Sequence, residues 1–219
     1  MANVSHDLRT PLSLIYSYAE MMQDFPEEVT AEHSQVIMDE AKRLTSLVND
    51  IMDISSFEMG VEKLNIEEYN LTKSLEKTIE RIGEFIKKET YKIEFIYDTP
   101  INIFADEVKI TQAFYNLLLN AVDHCGDNKN IIVKQTIIAD TVKVEVIDSG
   151  EGINAEELPY IWERYYKVDK EHKRPIIGTG LGLSIVKKIA EIHSGTYGVK
   201  SDIGKGSSFW FQLKIRPYN

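Results

Sequence analysis

Asn116 and Asn120 stand four residues apart in Asn116-Leu117-Leu118-Leu119-Asn120, a spacing that puts two carboxamides on one face of a helix whose other positions are mostly apolar. Carboxamide oxygens suit Mg²⁺, which favours octahedral oxygen and is usually shared between a few protein groups, water and nucleotide phosphates. Taken alone, the pair could equally cap neighbouring backbone groups. Further on, Asp148-Ser149-Gly150-Glu151-Gly152 leaves a β-like run through two glycines, so backbone can approach a ligand closely while the carboxylate accepts hydrogen bonds. Gly178-Thr179-Gly180-Leu181-Gly182-Leu183 then runs into a helix beginning near Ser184, which turns backbone N–H groups toward phosphate oxygens. No Lys-Ser/Thr pair closes this loop as in a Walker A motif, and no dinucleotide-binding βαβ unit surrounds it.

A second kind of chemistry sits at the other end of the chain. With Leu8 at the centre of a buried helical face, a rotation of about 100° per residue puts His6, Thr10, Ser13 and Ser17 together on the opposite, exposed side. A neutral imidazole nitrogen is a competent nucleophile toward a phosphoryl group, and Asp7 is placed to hold the other ring nitrogen as the N–H tautomer. Pro11 removes a backbone bond to the Asp7 carbonyl and should bend the helix one turn beyond the histidine. The plain alternative is a solvated histidine on an ordinary amphipathic helix. His33, His172 and His193 have no comparable neighbours and read as surface or structural residues.

The elements that must position these groups follow from periodicity. Leu8, Leu12, Ile15, Ala19 and Met22 form the seam of one amphipathic helix; Asp24–Thr30, with Pro26, interrupts it. Ile37, Ala41, Leu44, Val48, Ile51 and Ser55 resume the same steps, giving a helical hairpin. Val36, Leu47 and Ile54 widen the second helix's apolar face beyond what one partner covers, so two copies of residues 1–57 are expected to form a four-helix bundle, and hence a homodimer. The alternative partner for that face is the C-terminal domain of the same chain. Residues 58–70 read as a linker with at most one short strand, and 71–219 as an α+β layer domain. Within it helices are expected at Leu71–Lys87, Val108–His124 and Leu183–His193. Strands are expected at Ile93–Tyr97, Ile101–Phe104, Ile131–Ile138, Val142–Ile147, Tyr197–Ser201 and Ser208–Ile215, the third and fourth forming an antiparallel hairpin around Ala139-Asp140.

Composition narrows the class. Of 219 residues 43% are hydrophobic and 27% charged, ordinary for a chain that buries a core, and a net charge of −10 argues against a nucleic-acid footprint. The single cysteine, Cys125, excludes an intramolecular disulfide framework and fits the reducing cytoplasm. No apolar run reaches the roughly 20 residues that span a bilayer, so no membrane contact is expected of this segment. The first motif begins so close to Met1 that no sensing domain fits upstream, which is consistent with a piece of a longer, membrane-anchored parent.

Ser5-His6-Asp7-Leu8-Arg9-Thr10-Pro11 resembles the H-box of histidine kinases. The resemblance implies that His6 is the phosphoacceptor, Asp7 its base or orienter, and Thr10 the residue that acts in removing phosphate from the partner protein. Asn116 to Asn120 resembles the N-box, Asp148 to Gly152 the first glycine box, Ile161-Trp162-Glu163-Arg164-Tyr165-Tyr166-Lys167 the F-box, and Gly178 to Gly182 the second glycine box of the nucleotide-binding fold shared with gyrase-type topoisomerases, mismatch-repair ATPases and chaperone ATPases. Asp106, Lys109 and Gln112 match the approach to the N-box, and Gly204–Phe209 a terminal glycine box. From this resemblance Asn120, with Asn116 beside it, coordinates Mg²⁺, and Asp148 receives the adenine amino group. Gly150 and Gly152 admit the base, Lys167 and Arg174 reach phosphates from a lid, and Gly178, Thr179, Gly180, Leu181 and Gly182 close around them. Three positions depart from the pattern: Asp123 stands where the family often has lysine, Trp162 replaces a common phenylalanine, and Ile177 occupies a frequent glycine position.

The expected reaction is transfer of the ATP γ-phosphoryl group to His6, then to an aspartate on a response-regulator receiver domain. Two rivals stand beside it: a related ATPase or serine kinase of the same fold, against which the H-box speaks, and a non-catalytic dimerisation scaffold, against which Asn120, Asp148 and the glycines speak.

Overall fold

A computed structural model describes residues 2–58, 63–86, 91–164, 166 and 180–216. The chain divides into two compact units, Met1–Val61 and Glu62–Asn219. In the first, α1 (Ala2–Asp24) runs through Pro11, a 3-10 turn spans Pro26–Glu28, and α2 (Ala31–Glu58) returns against α1. The turn is tied locally: the Thr30 hydroxyl accepts the His33 N–H at 3.4 Å, His33 Nδ1 accepts the Thr30 N–H at 3.3 Å, and the His33 ring lies 5.8 Å from that of Tyr18 on α1. His33 is thus a structural residue, as its sequence context suggests.

A two-helix hairpin has little interior. Among its described residues Pro11 and Leu47 are buried, while Leu12, Tyr16, Met38, Val48 and Met52 stay exposed, Leu12 and Val48 being members of the expected seams.

The second unit contains β1 (Glu67–Asn70), α3 (Leu71–Phe85), β2 (Lys92–Tyr97), β3 (Asn102–Ala105), α4 (Glu107–His124), β4 (Asn130–Ile138), β5 (Thr141–Asp148), α5 (Gly182–Ile192), β6 (Thr196–Asp202) and β7 (Gly206–Lys214). Five strands make one sheet in the order β2-β4-β5-β7-β6, with β2 parallel to β4 and the other neighbours antiparallel. The expected hairpin is there: β4 pairs β5 from Ile131↔Asp148 to Ile138↔Thr141 around Ala139-Asp140, with Ala139 at φ 54°. β1 and β3 form a separate two-stranded ribbon.

The sheet alternates cleanly. Val142, Val144 and Val146 of β5, Ile131 and Val133 of β4, and Phe209, Phe211 and Leu213 of β7 are buried beside α4 and α5, which pack on each other. The opposite face carries a polar and aromatic set: Lys143 Nζ lies 2.7 Å from Glu145 and 5.0 Å from the Trp210 ring centroid, and Ser208 Oγ donates to Glu145 at 2.7 Å. α3 starts where the Asn70 side chain accepts the Lys73 N–H at 2.8 Å, an N-cap worth about 1 kcal/mol. Its Thr72 hydroxyl donates to Gln135 of β4 at 2.8 Å, a buried bond joining this helix to the sheet.

Candidate functional site

α4 supplies the floor of the site. Ile110, Ala113, Phe114, Leu117, Leu118, Ala121 and Val122 bury one side of it, which leaves Lys109, Gln112, Asn116, Asn120 and Asp123 as a half-buried polar strip on the other. Asp106 caps the helix: Oδ1 accepts the Lys109 N–H at 3.1 Å and Oδ2 the Asn65 N–H at 3.0 Å. Its own N–H donates to His193 Nε2 at 3.2 Å, while His193 Nδ1 donates to the Ile189 carbonyl at 2.8 Å. The start of α4 is thereby fastened to the end of α5 through one neutral imidazole, and burial holds that imidazole's pKa below its ordinary value.

Gly150 of the first glycine loop and Gly182 of the second border the polar strip. Midway along it a side chain placed at Gly182 would touch Asn116, 3.5 Å from the carboxamide oxygen. At its C-terminal end a β-carbon at Gly150 would collide with the His124 carbonyl, so only glycine allows the Asp148–Gly152 loop to lie this close to α4. Ser149 Oγ donates to the Cys125 carbonyl at 3.0 Å and ties the same two segments together.

Asp148 ends β5 and is buried. Its Oδ1 accepts two backbone N–H groups, from Gly150 at 2.8 Å and from Ser207 at 3.2 Å. Burial raises its pKa above the ordinary carboxylate value and outweighs the lowering by those bonds. Both of these bonds fall on Oδ1. Gly152 lies at φ +73°, and a β-carbon there would strike the Asp202 carbonyl; with Gly204 N–H donating to Glu151 at 2.7 Å, the loop is clamped to the β6–β7 turn. Ser207 carries no site role in the sequence reading. The signal for it is Gly206-Ser207-Ser208, small residues opening a strand, but the contact spans 59 residues of sequence and no local pattern reveals it.

At the start of α5 the apolar Leu181 occupies the N-cap and offers no side-chain acceptor to the first turn, as suits a helix end that meets an anion. Gly180, Leu181 and Gly182 are in place there; Gly178 and Thr179, with Lys167, Arg174, His172 and Ile177, lie outside the described residues. Trp162 of the F-box is buried, its ring centroid 4.7 Å from that of Tyr197 and 6.0 Å from that of Phe209, so this departure fills a core position.

In the first unit His6 is open to solvent, 77% exposed in its side chain, and its Nδ1 lies 3.4 Å from Asp7 Oδ1. Thr10 is also exposed, and its hydroxyl donates to the His6 carbonyl at 3.2 Å. With the ring proton on Nδ1, held toward Asp7, the lone pair of Nε2 is the outward nucleophile.

The donor set on α4 suits a hard cation such as Mg²⁺ in kind: two neutral carboxamide oxygens four residues apart on one strip, to which water and phosphate oxygens would be added. No described helix is long and apolar enough to cross a membrane.

Comparison with known proteins gives the family and the fold. Residues 105–217 match the model of the histidine kinase-, DNA gyrase B- and HSP90-like ATPases, and residues 1–60 that of the His Kinase A phospho-acceptor domain. The chain is 34% identical over 218 residues to the sensor protein kinase WalK of Staphylococcus aureus, covering 97% of this chain and 52% of that protein, so it spans about half of the relative's length. Its fold is similar to that of the Acinetobacter baumannii histidine kinase AdeS (TM-score 0.79, 19% identity, 96% of this chain and 98% of the other). Full-length ShkA in complex with AMPPNP is similar as well (TM-score 0.71, 25% identity, 97% and 44%).

Proposed function

Because the chain belongs to the histidine kinase-, DNA gyrase B- and HSP90-like ATPase family and joins that domain to a phospho-acceptor domain, as the catalytic region of a sensor histidine kinase, we propose that it transfers the γ-phosphoryl group of ATP to His6. The observation that carries this reading is the placement of Gly182 against Asn116 and of Gly150, bonded to Asp148, against the end of α4, in a chain that also exposes a carboxylate-paired histidine.

Each residue then has a task. Asp148 Oδ2 accepts the adenine amino N–H, while the bonds to Oδ1 keep the carboxylate from turning. Gly150 and Gly152 let the loop after Asp148 pack tightly against His124 and Asp202, which sets the backbone beside which the base would lie. Leu181, Gly182 and the first turn of α5 present N–H groups to phosphate, and Lys167, Arg174, Gly178 and Thr179 complete that cradle. Asn120, with Asn116 beside it, would hold Mg²⁺. When bound, that ion neutralises phosphate charge and fixes its orientation. His6 Nε2 attacks the γ-phosphorus in line with the bond to the β-phosphate oxygen, which leaves with its electron pair as ADP; Asp7 takes up the Nδ1 proton as the imidazolium forms. Catalysis rests on position and electrostatics.

The phosphohistidine is the donor for an aspartate on a receiver domain, and Thr10 serves the reverse duty of orienting water toward that phosphoaspartate. The exposed apolar residues of the hairpin are covered by a second copy, giving a homodimer. We place the reaction in the cytoplasm, where ATP is available. The test is a titration of self-labelling against Mg²⁺ with the wild type and Asn120→Asp. A large loss that added Mg²⁺ does not fully restore is expected; equal labelling by both proteins at all Mg²⁺ concentrations removes Asn120 from the site.

A further inference from the structure

Three segments meet at Asp106, the N-cap of α4. Its Oδ2 accepts the N–H of Asn65, in the chain that arrives from the phospho-acceptor domain and leads into β1. Its Oδ1 accepts the Lys109 N–H in the first turn of α4, and its own N–H donates to His193 at the end of α5. The other ends of both helices' shared length lie in the candidate nucleotide site. From Asp106 to Asn116 along α4 is ten residues, about 15 Å, and from His193 back to Gly182 along α5 is eleven, about 16 Å. The two helices therefore pack over a matched length, tied by His193 and Asp106 at one end and abutting at Gly182 and Asn116 at the other. Asp106 is buried, and the Tyr69 hydroxyl near it is fully shielded; burial, then the Glu107 and Asp106 carboxylates, push that phenol up. In such surroundings a broken bond to Asn65 is not readily replaced by one to water.

We propose that Asp106 is a positioning residue that couples the seating of the inter-domain segment at Asn65 to nucleotide binding. This rests on the nucleotide-site reading above. With the Asn65 N–H on Oδ2, the carboxylate is held with Oδ1 on the first turn of α4. Release of Asn65 frees the carboxylate to turn, which loosens the cap of α4 and, through the N–H of the same residue, its tie to α5. A helix is stiff over three turns, so play at Asp106 reaches Asn116 where it meets Gly182. The coupling is reciprocal: whatever factor the seated segment adds to nucleotide affinity, bound nucleotide adds to the seating of the segment.

Two substitutions break the same bond from opposite sides. Asn65→Pro deletes the backbone donor, and Asp106→Asn replaces one acceptor oxygen by an amide N–H₂ while leaving an asparagine cap on α4. Asn65→Ala, which loses only the side-chain bond to Glu67, is the control. In calorimetric titration of the full chain with Mg·ATP, each of the first two should bind about five- to ten-fold more weakly than the wild type. The double variant should be no weaker than the weaker single by more than about two-fold, and Asn65→Ala should stay within about two-fold of the wild type. Thermal melting without nucleotide checks that each fold is kept, and Asp106→Asn carries the test if Asn65→Pro does not fold. Amide exchange of Asn65 in the wild type, followed by NMR, is a readout that a merely structural bond would not move: Mg·ATP should slow it about five-fold or more. Wild-type affinity in a folded Asp106→Asn protein, or an Asn65 exchange rate that bound nucleotide leaves unchanged, overturns the proposal alone. If the wild type binds no ATP, the nucleotide-site reading falls and takes the proposal with it.

Discussion

Asp148 Oδ1 accepts the backbone N–H of Ser207 at 3.2 Å, joining the end of β5 to the start of β7. Together with the Gly150 N–H this bond fixes the carboxylate, so the consequence of altering Asp148 can be separated into fold and ligand. In Asp148→Asn the amide oxygen keeps both backbone bonds, but the amide N–H₂ then meets the adenine amino group, donor against donor. Nucleotide affinity should fall about 10- to 100-fold while the melting temperature is kept or raised. The sign follows from the raised pKa: the stability linked to this group is complete below 3.8 and is lost as pH rises through the higher folded value, so a neutral side chain removes a cost at neutral pH. For the wild type, nucleotide binding should weaken as acidification protonates Asp148. Isothermal titration of ATP beside a thermal melt measures both quantities.

His193 gives a second pH dependence of opposite sign. Burial lowers its pKa below 6.5, so the stability it carries is present above that value and is lost as pH falls through the folded pKa. Protonation puts a hydrogen on Nε2, which then can no longer accept the Asp106 N–H, and the cap that starts α4 loosens from α5. Unfolding of the nucleotide-binding unit should therefore become easier below pH 6.5. His193→Ala should cost about 1–3 kcal/mol at pH 7.5 by leaving that N–H unsatisfied and should flatten the pH profile. Urea unfolding between pH 5.5 and 8 is the check; a wild-type profile as flat as the variant's would contradict the linkage.

Thr10 donates to the His6 carbonyl at 3.2 Å, yet its exposed hydroxyl oxygen retains lone pairs for a water. Thr10→Ala should slow dephosphorylation of a cognate receiver domain roughly ten-fold or more while self-phosphorylation changes about two-fold or less. Equal losses in both rates would mean that the hydroxyl serves the helix alone.

Leu12, Tyr16, Met38, Val48 and Met52 leave the hairpin with apolar surface that a second copy would bury. Sedimentation equilibrium over a concentration series should give a dimer at micromolar concentration, and Leu12→Asp with Val48→Asp should give monomers that still bind ATP. A wild type that stays monomeric well above micromolar concentration would contradict the bundle.

What was legible in the sequence was whatever depends on short-range spacing. The seams around Leu8 and Ile37, the i, i+4 pair Asn116 and Asn120, and the Val142–Val144–Val146 alternation each carry their element's period within a few residues. What depends on pairing across the chain was not legible. β2 lies parallel to β4 and β3 pairs with β1, partners separated in sequence by a whole helix or more, and β2 and β3 both pack on α3. Likewise His193 has no motif, and its role follows from meeting Asp106 across 87 residues. Trp162 was read as a departure from a motif, and its reason is visible only in the rings of Tyr197 and Phe209 that it packs against.

The central claim is that His6 Nε2 takes the γ-phosphoryl group of ATP bound along α4. Incubation with γ-labelled Mg·ATP, followed by acid and base treatment and mapping of the label by peptide mass spectrometry, tests donor, bond and acceptor in one preparation. The wild type should acquire an acid-labile, base-stable label on His6, and His6→Gln should acquire none while binding ATP with an affinity within about two-fold of the wild type, since the acceptor and the nucleotide groups belong to separate units. Stoichiometric labelling of His6→Gln, or an acid-stable label on serine or threonine in the wild type, would contradict the account.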